Sequence, residues 1–586
     1  MSSIEAIREG LLLEFKEAIP SDGEIMHECI SLCQMYNLSP QALLWKWEVI
    51  KLGKGHSALP EISALDMNSV AAMKAQITRD LLKESTKKKQ QARINQSSVV
   101  PANLNRRYAA GSANIAPDQV KTESTSDNLN DSVAVSYRGP KADEDSRKRR
   151  AYRYMYEKVS ERSEALDDRI DELAELVRDH YGLTELGDPS SSTDGDTTVV
   201  GRIIQDIEAA GSSTKLNETT ICLESSRMLG SGSRIPLRFD PTVKIRGCIT
   251  GAGSLGFFPG AIVALRGRNG GGGWFQVSEI LGLPLPRSTP SAGLSAMKID
   301  PDMAGSPFSM SIACGPYTSD TDLHYRPREL YFEHIKKTKP GVVLLMGPFV
   351  DSSHPKVKIG DLDSTPSRLY QIRFLTSLKS FLQSSPHSKV LLLPSIRDLL
   401  SDHAVYPQGE YPQLLTENHP RIHLLPNPAR FTINGVTFAG TSVDVLFHLK
   451  REEYLKRGEE VEPIAPTATE DVGTDAMGNL CRHLLQQRSF YPLFPVPIDV
   501  SLEVNLDISH SDGLRLCNVE DQYAPDVLIL PSKLKEFAKT IHSTYAINPS
   551  YINKLRYATL EVASGAMPVK DRINLHLAKF ENNSGT

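Results

Sequence analysis

Between residues 85 and 145 the chain is built from Lys, Gln, Asn, Ser, Asp and Pro, with few large apolar side chains. Such a stretch cannot bury enough surface to offset the entropy lost on folding, so it predicts a flexible linker over 85–146. A chain of 586 residues interrupted in this way must fold in separate parts. The part before the linker, 1–84, reads as helical. Ile25, Met26, Cys29, Ile30, Leu32, Cys33 and Tyr36 recur at helical spacing, and Ser39-Pro40 has the form of an N-cap followed by a first-turn proline. A further helix is expected over 66–83. A unit this small has little room for a catalytic cleft, and a groove for short partner segments is the use that suits it.

Order is expected to return at Arg147-Lys148-Arg149-Arg150, at the start of a connecting helix over 147–185 that closes near Tyr181-Gly182. Two readings of the four cations stand side by side: a solvated helix N-terminus, where they oppose the helix dipole, and a nuclear-import signal. Short strands follow, at 199–207, 219–223, 234–239, 243–250, 262–268 and 274–280, with a hairpin signal at Asn269-Gly270. Strands of this number and spacing within 196–285 suit a small β-barrel of OB type. From 306 to 575, buried strands at 342–346, 390–393, 436–439 and 527–530 alternate with helical stretches such as 367–383, which argues for an α/β domain.

Several function classes recede on chemistry alone. The formal net charge of −5 predicts no general attraction to nucleic acid. The seven cysteines include no Cys-x-x-Cys pair, and Cys29 and Cys33 are spaced to pack on one helix face. No run approaches the roughly 20 apolar residues that span a bilayer, so no membrane partner is expected. Gly251-Ala-Gly253-Ser-Leu-Gly256 satisfies a dinucleotide fingerprint, but Phe257-Phe258-Pro259-Gly260 follows where a helix N-terminus must receive the pyrophosphate. It reads as a glycine-rich loop of the barrel, and no cofactor is implied. Phe239, Phe257, Phe258, Trp274 and Phe275 are not interleaved with basic residues, so core packing and protein contact are favoured over direct DNA binding. Lys121, in Val120-Lys121-Thr122-Glu123, matches a SUMO-acceptor pattern, against the default of a solvated linker lysine.

Seven segments in the second half resemble, in order and spacing, the B subunits of DNA polymerase alpha–primase. They include Ala313-Cys314-Gly315-Pro316-Tyr317-Thr318, Gly347-Pro348-Phe349-Val350-Asp351, Leu393-Pro394-Ser395-Ile396-Arg397-Asp398, Asp444-Val445-Leu446-Phe447-His448-Leu449 and Pro525-Asp526-Val527-Leu528-Ile529-Leu530-Pro531-Ser532. The resemblance covers about 150–550. It implies a multidomain chain: a small all-α N-terminal domain, a disordered linker, an OB-type β-barrel and an inactive α/β domain of calcineurin-like phosphoesterase fold.

Active phosphoesterases of that fold hold two metals with carboxylates and imidazoles on strand-end loops, which neutralise the cations and leave room for phosphate and water. At the corresponding places this chain has Cys314 and Pro316, then Pro348 for the bridging aspartate, Ser395 where asparagine and histidine belong, and Ser532 in the last histidine motif. Proline offers no side-chain ligand. Asp351, Asp398 and His448 remain, and are expected to serve as loop-fixing hydrogen bonders, Asp398 on its neighbouring amides. No catalytic, metal or cofactor-binding residue is therefore expected.

By resemblance the protein is a nuclear, non-catalytic scaffold. Its implied partners are the zinc-bearing C-terminal domain of the catalytic subunit of DNA polymerase alpha, primase through the complex, and other replisome proteins through the N-terminal domain. DNA contact is expected to be indirect or weak. The alternatives are a B subunit of delta or epsilon type, which the long linker and separate helical head disfavour, and an active phosphoesterase, which the missing ligands oppose. The family's linker is commonly phosphorylated before proline. Here the linker has no Ser-Pro or Thr-Pro, and such pairs occur only outside it, at Ser39, Thr289, Ser306, Thr365 and Ser385.

Overall fold

The computed structural model describes residues 3–15, 19, 23–36, 39–41, 43–45, 47, 65, 70, 73–74, 135–151, 158–206, 215–288, 306–465, 475–517, 522–565 and 567–580. The chain divides into two units, Met1–Ser126 and Asp127–Thr586. In the first, α1 (Ser3–Phe15) and α2 (Glu24–Tyr36) bury Leu11, Phe15, Met26, Cys29 and Cys33 together with Leu43 and Met73. Cys29 and Cys33 pack there as small apolar side chains, and burial raises the pKa of both thiols. Of the helix expected over 66–83, only Val70, Met73 and Lys74 fall within the described residues; the expected linker up to 134, with Lys121, falls outside them. Its last part, 135–146, is ordered, with Val135 buried, Tyr137–Arg138 paired with Thr432–Ile433 and a helix beginning at Glu144, because partner residues far along the chain receive it.

The second unit begins with β1 (Tyr137–Arg138) and α3 (Glu144–Arg150). The connecting helix expected over 147–185 is not continuous. α3 stops at Ala151, whose backbone is extended, and α4 (Val159–Tyr181) starts afresh after Lys158. The cluster Arg147–Arg150 therefore closes a short helix rather than opening a long one. Asp143 caps α3 by accepting from the Ser146 amide (3.0 Å), Glu144 and Asp145 fill its first turn, and the four cations sit at the carbonyl end. The charges thus favour the dipole instead of opposing it. α4 ends on Gly182 at φ 62°, a left-handed cap that glycine adopts freely.

The barrel uses β2 (Thr197–Gln205), β3 (Ile221–Glu224), β4 (Arg234–Arg246), β5 (Ser254–Phe257), β6 (Ile262–Arg268) and β7 (Phe275–Leu281). Its closed ring runs β4-β3-β2-β6-β7 and returns by a parallel β4–β7 pairing. The two strands expected at 234–239 and 243–250 are one strand, with a register shift between Phe239 and Lys244. This irregularity lets the strand continue past Pro241, which cannot donate. The run read as a glycine-rich loop carries β5 in its second half.

The remaining strands form two sheets. One has the order β11-β10-β9-β8-β19-β20, from β8 (Phe308–Cys314), β9 (Val342–Met346), β10 (Lys389–Leu393), β11 (Ile422–Leu424), β19 (Arg556–Val562) and β20 (Ile573–Lys579). The other runs β1-β12-β13-β16-β18-β17, from β12 (Ala429–Ile433), β13 (Val436–Gly440), β16 (Val527–Ile529), β17 (Phe537–Ile541) and β18 (Thr544–Asn548). Met310, Ile312, Leu344, Met346 and Leu391 of the first meet Phe431, Phe438, Val527 and Ile529 of the second in a single core. The first sheet's outer face packs on the helix Arg326–Thr338 and on the helical stretch Gln371–Ser384 through Tyr331, Ile335, Phe374 and Phe381. Nearly continuous apolar runs such as Val342–Met346 follow from burial on both faces.

Barrel and sheets share one core, in which Val199, Leu223, Phe258 and Ile280 join Leu446, Leu484, Leu493 and Leu528. Two short strands reach across from the second domain. β14 (Tyr454–Arg457) pairs antiparallel with β5, and β15 (Glu459–Val461) pairs parallel with β4. The glycine run of the false fingerprint receives this arm, with the Gly251 and Gly253 amides donating to the Glu460 carboxylate at 3.1 and 2.6 Å. Gln487 adds a second clasp by accepting from the Ile262 amide (3.0 Å) and donating to its carbonyl (2.8 Å).

Candidate functional site at the strand ends

Three strand-end turns meet where ligands would be sought. Gly315 and Gly347 donate their amides to the Met346 and Leu393 carbonyls, both at 2.8 Å. The turns touch through backbone: a Cβ on Gly315 would lie 2.2 Å from the Pro348 carbonyl oxygen. Both following prolines, Pro316 and Pro348, are joined by cis peptide bonds. Tyr317 stacks on Phe349 (5.3 Å, 5°) and donates to the Ala313 and Met346 carbonyls. Aromatic packing and backbone thus occupy the junction of the first two turns.

Asp351 and Asp398 are committed to the protein itself, whereas His448 keeps one buried ring nitrogen, Nε2, without a hydrogen-bond partner among the described residues. Asp398, 5% exposed, accepts from the Phe349, Val350 and Leu400 amides and from the Tyr411 hydroxyl (2.7 Å). Burial raises its carboxyl pKa to about 6, and these hydrogen bonds, led by that from Phe349, limit the rise. Asp351 is gripped side-on by the Arg397 guanidinium, with Nε 3.2 Å from Oδ1 and a second bond from the terminal nitrogen to Oδ2. Ser395 accepts from the Arg397 amide at 3.3 Å. Ser532 donates to Asp444, whose other oxygen accepts from the Lys533 amide (2.7 Å). His448 is fully buried 3.1 Å from the Tyr491 hydroxyl, with its Nε2 3.6 Å from Glu503, beyond hydrogen-bond length. The Cys314 thiol lies against Met346 Sδ (3.4 Å), and burial raises its pKa well above the usual thiol value.

This donor set does not fit a pair of divalent cations. Two positions are proline, the thiol is held protonated, and one carboxylate already has an arginine for its counter-charge. Among the described residues no group of three His, Cys, Asp or Glu side chains could hold a metal ion. From sequence, a loop-fixing role is expected of Asp351 and Asp398 but not of Arg397 and Asp444, which lie inside the family-like motifs, or of Tyr411, which lies outside them. A basic residue inside a strand-end motif that should carry carboxylates and imidazoles is the available signal for Arg397.

Elsewhere, Lys148 and Arg149 are exposed, whereas Arg147 and Arg150 are half-buried. Arg150 pairs with Glu410 and donates to the Lys141 carbonyl, and Arg147 faces the Gln413 side chain. Among the described residues no helix is long and apolar enough to cross a membrane.

Fold and site together define a class of protein: a small barrel built into a two-sheet domain whose strand-end loops hold one another instead of a metal centre. Residues 310–539 match the family of DNA polymerase alpha/epsilon B subunits, and residues 163–283 match the OB domain of the DNA polymerase alpha B subunit. The DNA polymerase alpha B subunit of Schizosaccharomyces pombe is 30% identical over 564 residues, 91% of this chain and 92% of its own length. That of Saccharomyces cerevisiae is 30% identical across 69% of this chain and 58% of its own, and that of Bos taurus 28% across 66% and 57%. A Thermus thermophilus crystal structure aligns with 47% of this chain at 11% identity and a TM-score of 0.22, too slight a likeness to carry an argument. The chain belongs to the family of DNA polymerase alpha B subunits.

Proposed function

We propose that this protein is the non-catalytic accessory subunit of a nuclear DNA polymerase alpha–primase complex. Its second unit is a body that docks the zinc-bearing C-terminal domain of the catalytic polymerase subunit, and through it serves primer synthesis. Its N-terminal helical unit recruits other replication proteins across the linker. A phosphoesterase-like ancestry for the two-sheet domain accords with the placement of the altered motifs at strand ends.

The observation that carries this reading is the replacement of ligands by internal bonds: Asp351 on Arg397, Asp398 on three amides, Ser532 on Asp444. Carboxylates and a hydroxyl so satisfied offer no open coordination for phosphate or water. The shared core and the crossing strands β14 and β15 supply what a scaffold needs, a large surface of fixed shape. Co-expression with the catalytic subunit should give a complex that survives gel filtration, and the purified protein with manganese should not hydrolyse a phosphodiester above blank. Manganese-dependent turnover abolished by His448→Ala, or failure to co-purify with the polymerase, would refute the proposal.

A further inference from the structure

On the β1–β12 edge of the second sheet lies a cleft of about 780 Å³, within the range of ligand sites. Its charge is one-sided. Arg138, Arg149, Arg150 and Arg430 line it with His510, against the single carboxylate Asp512. Asp512 is already paired with Arg515 (3.0 Å), His510 with Asp507 (2.8 Å) and Arg150 with Glu410. Arg430 differs. It projects from the open face of β12, is exposed, and its guanidinium forms no hydrogen bond or ion pair with another described residue. Desolvation by the surrounding walls lowers its guanidinium pKa; the Cys517 side chain opposes that shift and the neighbouring Arg515 adds to it. A cation recessed among cations, wet but without a counter-ion, marks a place where an anionic group is missing.

The walls decide which kind of anion. Single-stranded nucleic acid needs aromatic faces open for stacking along a basic track. Here Phe431, Phe438 and Phe490 are at most 4% exposed, and Tyr523 carries the Arg287 guanidinium over its ring at 5.5 Å. Prolines, among them Pro140, Pro407 and Pro428, make up much of the rest. Such a lining suits an extended polypeptide, with carboxylates on the arginines and aliphatic side chains on the proline rings.

We propose that this cleft is a docking site for an acidic, extended segment of a partner polypeptide, with Arg430 as its central contact. None of the altered strand-end positions lines the cleft, although Gln408 of its wall donates to the Ser395 carbonyl, and the inference goes beyond the assembly proposed above.

The test is fluorescence anisotropy on the full chain with three labelled probes: a 15-residue peptide alternating Glu with Leu and Ser, its Lys-for-Glu counterpart, and an oligothymidylate of equal length. The acidic peptide alone should bind, and raising salt from about 0.05 to about 0.3 M should weaken it severalfold because the contacts are electrostatic. Arg430→Glu should weaken it at least tenfold without moving the thermal midpoint, since Arg430 has no internal partner to lose. Thr432→Trp, which fills the cleft without altering charge, should do the same. Three results overturn the proposal: no binding of the acidic peptide at millimolar concentration, binding indifferent to both variants, or oligothymidylate bound more tightly with the same dependence on Arg430. A synthetic peptide of residues 117–134 of this chain, binding more tightly than the probe, would assign the cleft to the protein's own linker and overturn it equally. Co-purification with the polymerase is scored separately, so failure here leaves the accessory-subunit reading to its own test.

Discussion

The Arg397 guanidinium lies side-on against the Asp351 carboxylate, bridging two strand-end loops that an isolated β-bridge between Asp351 and Asp398 also joins. The pair is a counter-charge built from the chain itself, and each partner depends on the other. Asp351 is 8% exposed, so removing the cation strands a carboxylate in a desolvated place. Arg397→Met should therefore lower stability by about 2–4 kcal/mol, read from urea unfolding. The double variant with Asp351→Asn should regain at least half of that loss, because no unpaired charge is then left. Equal losses in the single and double variants would show that the arginine acts through packing alone.

Asp398 carries a pH signature. Its folded carboxyl titrates near 6, against an ordinary value of 3.8. Because the folded value is raised, the native state holds the proton more tightly than the unfolded chain. The contribution is fully present below pH about 4 and disappears as pH climbs through 6. A rise of this size corresponds to about 3 kcal/mol across that window. Asp398→Asn should lack this decline between pH 4 and 6. At neutral pH it should still be less stable than the parent by about 1–3 kcal/mol, because an amide cannot accept from both the amides and the Tyr411 hydroxyl. Denaturation midpoints of the two proteins at half-unit pH steps would measure both effects.

The cysteines give a simpler check. All seven are free and buried, and burial raises the thiol pKa at each. Thiolates are the reactive species, so native protein at pH 8 should consume almost no Ellman's reagent over minutes, while denatured protein should react at all seven positions. Rapid reaction of one native thiol would place that side chain at the surface.

What is legible in sequence depends on the range of the interaction that decides it. Proline at 316 and 348 speaks for itself, since a residue without a donor atom cannot ligate a metal in any fold. The buried run Val342–Met346 and the glycine closing α4 are equally local. β14 and β15 are invisible for the opposite reason. Tyr454–Arg457 and Glu459–Val461 are short and polar, and become strands only because edges some 200 residues earlier in the chain receive them. The break after Arg150 is hidden because the apolar spacing runs on across it, while Asp143, Glu144 and Asp145 carry the start signal of a separate short helix. Arg430 is silent in sequence. Its meaning is that no described residue forms an ion pair with it, which only the assembled walls reveal.

Gly260 is a point of close backbone approach between the barrel and the second domain, and it tests whether the two behave as one body. Its φ of +95° suits glycine, and an added Cβ would stand 2.3 Å from the Phe494 amide nitrogen and 2.5 Å from the Pro492 carbonyl oxygen. Both obstacles are backbone, so no rotamer change relieves them. Phe494 also donates its amide to the Pro259 carbonyl at 3.0 Å, a bond that any retreat would lengthen. Gly260→Ala should cost about 2–4 kcal/mol, the sum of overpacking and a disfavoured backbone angle. The more telling readout is the shape of the transition. If the common core makes barrel and sheets a single cooperative unit, parent and variant should each unfold in one step followed identically by fluorescence and circular dichroism, the variant at lower urea. A second step appearing only in the variant would mean that Gly260 is what couples two otherwise independent domains. An unchanged midpoint would mean that the loop bearing Phe494 yields, and that the contact contributes nothing to the rigidity a docking surface requires.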